Sequence, residues 1–179
     1  MSELSPLEQL IANPLHMPFG HILPGGQGAG VDKSLLVVGD LVTVKIPSSA
    51  TGNLFCAFEE LTAPSEGPPP HFHPQSEVFY VLDGTVEFMH VGDKGPQLVS
   101  GGPGSIASIP GNAVHTFRNI GKTQSRVFVL STPGGLDNFF EAIGDETDLW
   151  YAPGMQGAPD MERILAASNK WGVHFVDPA

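Results

Sequence analysis

Residues 67–84 read GPPPHFHPQSEVFYVLDG and combine the residue types of a metal site with those of a strand. His71 and His73 are two residues apart, so on an extended chain both side chains point to the same face. Glu77 precedes residues 78–82, a run of β-branched and aromatic residues that is typical of a strand. Two imidazoles and a carboxylate on one rigid sheet predict a metal site, with a further ligand from elsewhere in the chain.

Residues 104–119, GSIASIPGNAVHTFRN, supply that ligand as His115. Together the two segments resemble the paired motifs of the cupin family. The first motif, His-x-His, three residues, Glu, six residues and Gly, is matched by His71, His73, Glu77 and Gly84. The second, Gly, five residues, Pro, four residues, His, three residues and Asn, is matched by Gly104, Pro110, His115 and Asn119.

Two positions depart from the family pattern, and neither is a ligand. Ser65 stands where the first motif begins with glycine, with Gly67 displaced, and Asn112 stands where the second has glycine after the proline. Asparagine is the next-best residue for a left-handed turn, so the second departure is mild.

The resemblance implies that four residues bind one divalent metal ion per chain, which could be Ni, Co, Mn, Fe or Zn; these residues are His71, His73, Glu77 and His115. A single histidine on a strand is more often a structural residue than a ligand. The metal-site prediction therefore depends on all four occurring together at this spacing.

The remaining pattern predicts an all-β protein. Short runs bounded by Gly, Pro and Ser predict strands at 35–38, 41–46, 54–61, 78–82, 85–91, 97–99, 105–109, 114–119 and 126–131. Many short strands without helices between them indicate an antiparallel sandwich or barrel. The resemblance specifies a single antiparallel jelly-roll cupin barrel.

Helical patterns lie outside this barrel. A capping serine and a proline predict a short N-terminal helix at residues 5–11, and C-terminal helices are predicted at 136–143 and 159–171. We therefore divide the chain into an N-terminal arm (1–34), a cupin barrel (35–132) and a C-terminal helical extension packed on the barrel (133–179). The sequence leaves open whether these helices cover the barrel mouth or its sheet.

The dipeptide Asp83-Gly84 predicts a two-residue hairpin. Its register would place His90 opposite Glu77, where the imidazole could orient the carboxylate as a partner behind the metal ligands. The alternative is that a bulge breaks the register and leaves His90 exposed.

Three phenylalanines are predicted to line a substrate pocket. Phe79 lies on the same strand face as Glu77, and Phe88 is opposite Phe79 in the predicted hairpin. Phe117 lies on the same face as His115. Inward rings around a polar cluster suit an aromatic or otherwise apolar organic molecule. The alternative is that the rings only fill a small barrel.

Composition excludes several partners. The 179 residues carry a formal net charge of −11, which argues against binding to nucleic acid or to an anionic membrane. The single cysteine, Cys56, allows no internal disulfide and is predicted to be a small core residue, compatible with a reducing cytosol. The sequence shows no apolar run of about 20 residues and no signal-peptide pattern, so we expect a cytoplasmic protein.

Three further segments refine the resemblance: Gly-Asp-Leu at 39–41, Glu-Val-Phe-Tyr at 77–80, and Pro-Gly-Gly-x-x-x-Phe-Phe-Glu-x-x-Gly at 133–144. They resemble single-domain quercetin 2,3-dioxygenase-like cupins. That resemblance implies a homodimer that uses dioxygen to cleave a ring of a flavonol. As a mechanistic hypothesis, Glu77 would be the catalytic base. The alternatives are a non-catalytic cupin that binds metal or a small molecule, and a metal-dependent isomerase.

Overall fold

A computed structural model describes residues 34–92 and 95–176. The predicted N-terminal helix and residues 1–33 of the predicted arm lie outside these ranges. The strands in chain order are β1 (Ser34–Val37), β2 (Asp40–Ile46), β3 (Cys56–Thr62), β4 (His71–Phe72), β5 (Ser76–Asp83), β6 (Val86–Gly92), β7 (Gly95–Gly101), β8 (Ile106–Ile109), β9 (His115–Asn119), β10 (Ser125–Thr132), β11 (Asp145–Thr147) and β12 (His174–Phe175). The nine strands predicted from sequence are all present, with bounds within two residues of those expected.

The strands form two antiparallel sheets, which confirms the predicted all-β class. The first has seven strands in the order β11-β1-β2-β3-β10-β5-β8, and the second has five in the order β12-β4-β9-β6-β7. Burial alternates along β5 and β10, as expected for strands with one face toward a core. The hydrophobic core contains residues of both sheets, including Phe58 and Val129 from the first and Val86 and Phe117 from the second.

Asn119, the last residue of the second motif, has a structural role. It is fully buried, and its Nδ2 donates to the carbonyls of Thr62, at 2.9 Å, and Thr123, at 2.8 Å. Its Oδ1 accepts from the backbone N–H of Gly121 at 2.9 Å. The side chain thus ties β9 to the end of β3 and to the turn before β10, because a buried amide must have its hydrogen bonds satisfied.

The two helices predicted after the barrel are confirmed as α1 (Leu136–Ile143) and α2 (Met161–Trp171). Asp160 caps α2 by accepting from the backbone N–H of Arg163, and Gly172 ends it in the left-handed conformation. The Arg163 guanidinium donates to the carbonyls of Ala142 and Gly144, both at 2.7 Å, and so ties α2 to the end of α1. Within the described ranges, no helix is long and apolar enough to cross a membrane.

The predicted hairpin at Asp83-Gly84 is wrong. The strand before it, β5, pairs with β10 and β8 in the first sheet, whereas the strand after it, β6, pairs with β7 and β9 in the second. The left-handed Gly84 (φ 81°) therefore carries the chain from one sheet to the other. A Cβ there would lie 2.7 Å from the Cα of Ser125, so the crossing packs against the start of β10.

The C-terminal extension also takes part in both sheets. Residues 145–147 form β11 and pair with β1 at the edge of the first sheet. Strand β12 pairs with β4 at the edge of the second. The extension thus contributes an edge strand to each sheet as well as two helices.

We expect Gly39→Ala to destabilise the protein by about 2 kcal/mol or more, because it adds a clash to backbone strain. Gly39 has φ +99°, and a Cβ would lie 2.4 Å from the backbone nitrogen of Met155. Urea denaturation measures the loss. Gly104→Ala is the matched control: its φ is +87° but a Cβ there meets nothing within 4 Å. It should cost about 1 kcal/mol from strain alone. Equal losses would contradict the packing argument.

Candidate metal centre

The four residues of the predicted metal site converge from both sheets. His71 on β4 pairs directly with His115 on β9 in the second sheet. Glu77 lies on β5 in the first sheet, and His73 lies in the short link from β4 to β5. The site therefore forms where the chain passes between the sheets.

The link that carries His73 is fixed by the loop before β9. The carbonyl of His73 accepts from the backbone N–H of Asn112 at 2.7 Å, and Ser76 Oγ accepts from the N–H of Gly111 at 2.9 Å. A Cβ on Gly111 would lie 2.2 Å from the carbonyl oxygen of Pro74, so only glycine allows this approach. Asn112 has φ 63°, the left-handed conformation expected where the family motif has glycine.

One carboxylate oxygen joins two of the imidazoles. Glu77 Oε2 lies 3.1 Å from His115 Nε2, within hydrogen-bond geometry. The same oxygen lies 3.2 Å from His73 Nε2, outside that geometry. The three histidines offer ring nitrogens that all lie within 4.8 Å of one another. Two of the three rings, those of His73 and His115, thus also lie beside the Glu77 carboxylate.

Backbone carbonyls orient two of the rings. His71 Nδ1 lies 2.9 Å from the carbonyl oxygen of Pro69, and His115 Nδ1 lies 2.9 Å from that of Ala113. A ring that donates its Nδ1–H to a carbonyl leaves Nε2 as the nitrogen available to a metal, the usual arrangement behind metal-bound histidines.

The residues present fit a bound cation. His73 is 1% exposed, yet neither of its ring nitrogens has a hydrogen-bond partner among the described residues. Buried polar atoms without partners are costly and rare. Coordination would satisfy one of them. Three imidazoles and a carboxylate form a donor set that suits transition metals and zinc.

The electrostatics favour an ionised Glu77 carboxylate and a neutral His71 ring. Burial alone would raise the pKa of Glu77, but the hydrogen bond from His115 and the nearby ring of His73 lower it to about 2. Burial, together with the neighbouring His115, lowers the pKa of His71 to about 4. Burial also acts to lower the pKa of His115, but Glu77 outweighs it and raises that pKa.

His90 is not opposite Glu77, because the hairpin that would have placed it there does not exist. It lies on β6, with His115 as its cross-strand neighbour on one side and Gln97 on the other. The row His71, His115, His90 therefore runs across three adjacent strands of the second sheet. The predicted role of His90 as a partner of Glu77 depended on the hairpin register, which the structure does not have.

A cavity of about 570 Å³ opens beside the four residues, with His71, Glu77 and His115 in its wall. Phe79 and Phe117 also line it, whereas Phe88 packs behind them at ring-centroid distances of 5.5 and 6.4 Å. Of the three phenylalanines predicted to line the pocket, Phe79 and Phe117 therefore lie in the cavity wall and Phe88 does not.

The two C-terminal helices close the cavity. Leu136, Phe139 and Phe140 of α1 and Ile164 of α2 face into it. The structure thus resolves the alternative that the sequence left open, since these helices lie against the ligand cavity. Most of the wall is aliphatic or aromatic, as in small-molecule sites.

Sequence reasoning missed two buried acids in the same wall, Asp40 on β2 and Glu60 on β3, each 8% exposed. Burial raises the pKa of Asp40 from 3.8 to about 7, with the nearby Glu66 adding to the effect. Burial also raises the pKa of Glu60 well above its ordinary value, helped by Asp40 and Glu77. A signal was present, because Glu60 is two residues from the inward Phe58 and so shares its face.

Comparison with known proteins supports the fold. A family model described as "Cupin domain" matches residues 58–131, which contain all four residues of the candidate site. The two antiparallel sheets thus form a cupin-type β-sandwich, as the jelly-roll prediction required. No curated protein matches the sequence.

Solved structures with the same fold include oxalate oxidase, at a TM-score of 0.50 and 22% identity over 65% of this chain and 61% of that one. A variant of oxalate decarboxylase from Bacillus subtilis matches at 0.53 and 14%, over 75% and 37%. The Cnp3 cupin domain of Schizosaccharomyces pombe matches at 0.50 and 18%, over 71% and 82%. The chain thus spans about three fifths of oxalate oxidase. Identities this low indicate a shared fold only.

We expect purified protein to carry about one divalent metal ion per chain, measured by mass spectrometry of the elements. His115→Ala should lose most of the metal, because it removes the ring that His71 and Glu77 both contact. His174→Ala is the control, since this exposed histidine lies on the edge strand β12. Absence of metal from the wild type after reconstitution would refute the site. Equal loss in both variants would point to unfolding instead.

We expect Asp40→Asn to stabilise the protein more at pH 8 than at pH 5. The pKa of Asp40 is raised in the folded state, so the stability it contributes is present at low pH and is lost as the pH rises through about 7. Because one pKa unit is worth about 1.4 kcal/mol and about two units separate pH 5 from the folded pKa, the gain in unfolding free energy should be about 2–3 kcal/mol larger at pH 8. Urea denaturation at both pH values measures it, and a pH-independent effect would contradict the buried charge.

Proposed function

We propose that this protein is a metal-dependent dioxygenase that acts on a flavonol-like or related aromatic, enolic molecule. The observation that carries the proposal is a cluster of three histidines, with Glu77 beside two of the rings, next to a cavity lined largely by aromatic and aliphatic side chains. The resemblance of residues 133–144 to quercetin 2,3-dioxygenase-like cupins supports it, since Leu136, Phe139 and Phe140 of that segment lie in the wall.

Charge in the cavity argues against small dianions as substrates. The wall contains four acids and, among the described residues, no lysine or arginine; the acids are Asp40, Glu60, Glu66 and Glu77. Oxalate, the substrate named for two of the matching structures, carries two negative charges and would meet these acids with no lysine or arginine in the described wall to offset them. A neutral aromatic molecule avoids that repulsion.

Glu77 is placed to accept a proton in this reaction, because its carboxylate is ionised and lies beside two of the histidine rings. A divalent ion held by His71, His73, Glu77 and His115 would lower the pKa of an enol hydroxyl bound to it. Glu77 Oε2, which lies beside two of the ring nitrogens, would accept that proton. Phe79 and Phe117 would hold the ring and exclude water, since both line the cavity and are at most 5% exposed. Both oxygen atoms of O₂ would enter the product, so no external reductant is needed.

We expect wild-type protein, reconstituted with Ni, Co, Mn or Fe, to consume oxygen when quercetin is added. Glu77→Gln should keep the fold but lower that rate by about 100-fold or more, because it removes the proton acceptor. Glu59→Gln is the matched control: Glu59 lies on β3 and pairs with Arg126 at 2.6 Å, away from the cavity wall. An electrode records the uptake, and circular dichroism checks the fold.

Other outcomes of that experiment separate the rival functions. Wild-type rates in Glu77→Gln would refute its role as the base. Tight binding of quercetin without oxygen uptake would favour a non-catalytic cupin or an isomerase. Turnover of oxalate would contradict the charge argument.

A further inference from the structure

The cavity holds a second polar feature apart from the metal centre, the Asp40–Glu60 carboxyl pair. Val42 on β2 is the register partner of Glu60 on β3, so Asp40 lies diagonally across from Glu60 on the same face. Each carboxyl group is among the influences on the pKa of the other, and their side chains are within hydrogen-bonding reach. The protonation of one carboxyl group therefore depends on the charge of the other.

The pair has capacity for a ligand. Asp40 Oδ1 is buried and has no hydrogen-bond partner among the described residues, and both side chains line the cavity. No lysine or arginine in the described wall neutralises them; the cations beside β3, Lys45 and Arg126, contact Glu59. Buried carboxyl groups without cationic partners are costly, so a structural role alone gives a weak reason for keeping them.

The backbone positions of the pair and of Glu77 are well separated along the first sheet, although the Glu77 charge still acts on Glu60. Across the first sheet, Val127 joins Glu60 to Val81, four residues along β5 from Glu77. Four residues of strand correspond to about 13 Å, and two strand spacings add about 10 Å across the sheet. A ligand bound at the metal centre by one ring would therefore need a second ring to reach the pair.

We propose that the Asp40–Glu60 pair is a specificity subsite that accepts hydrogen bonds from hydroxyl groups on the part of the substrate farthest from the metal centre. The inference rests on the proposed flavonol-like substrate and narrows it to polyhydroxylated members of that class. Burial keeps a shared proton on the pair near neutral pH, since the pKa of Asp40 is about 7 and that of Glu60 is also raised. The pair then carries about one negative charge, and a hydroxyl donor would stabilise it.

The test compares two ligands that differ in their outer hydroxyls. 3-Hydroxyflavone has only the enol hydroxyl, whereas quercetin has further hydroxyls on both outer rings. Dissociation constants are measured without oxygen by fluorescence titration of the metal-reconstituted protein. The variants are Asp40→Asn, which removes charge at constant shape, and Glu60→Leu, which removes the acceptor oxygens. Glu59→Gln is the control, since that residue on the same strand lies outside the cavity wall.

We expect wild type and the control to bind quercetin about tenfold or more tightly than 3-hydroxyflavone, as hydrogen bonds to a charged acceptor would give. Asp40→Asn should weaken that preference and Glu60→Leu should abolish it, while the affinity for 3-hydroxyflavone stays unchanged. If the pair has only a structural role, the variants should bind both ligands more weakly by the same factor, and that result would overturn the proposal. An unchanged preference in both variants, or no binding of either flavonol by wild type, would overturn it too.

Oxygen uptake on the same samples tests the proposed function separately. A preference that depends on Asp40 and Glu60, without oxygen uptake, supports the subsite and refutes the dioxygenase. Uptake without that preference supports the dioxygenase and refutes the subsite.

Discussion

The Glu77 carboxylate, held between two imidazoles, is the interaction on which the centre of this molecule depends. Oε2 lies 3.1 Å from His115 Nε2 and 3.2 Å from His73 Nε2, and Glu77 is 4% exposed. A carboxylate buried this deeply is stable only with charged or hydrogen-bonding partners, so it requires both histidines to stay in place. Because Glu77 belongs to the first sheet and His115 to the second, the same contact joins the two layers of the fold.

The sequence could place His71, His73 and Glu77 near one another because the information that relates them is local. The spacing of His71 and His73 and the alternation along β5 depend only on the geometry of an extended chain. The turn residues in the second motif are also local, and Asn112 adopts the left-handed conformation that its position required. The pairing of His71 with His115 is not local, and only the family resemblance of the two motifs placed these residues together.

The errors arose where long-range pairing decides. Asp83-Gly84 has the composition of a hairpin, but β5 finds partners in β10 and β8, and the amide of Gly104 donates to the carbonyl of Val81. Because both edges of β5 are then occupied, β6 pairs with β7 and β9 in the second sheet. His90 lies on β6 and is therefore not opposite Glu77. The acids Asp40 and Glu60 were missed for the same reason, since they become neighbours only through the β2–β3 register.

The charged groups in the cavity wall have the wrong sign for an acidic substrate. Its walls are largely apolar and its polar groups are acids and histidines. A cation at the metal centre would compensate Glu77, whereas no lysine or arginine in the described wall compensates Asp40 and Glu60. The cost of burying these two acids favours a ligand with hydrogen-bond donors at one end and a metal-binding oxygen at the other. Sharing a fold with oxalate enzymes therefore does not imply sharing their substrate, since the charges inside the cavity decide what can bind.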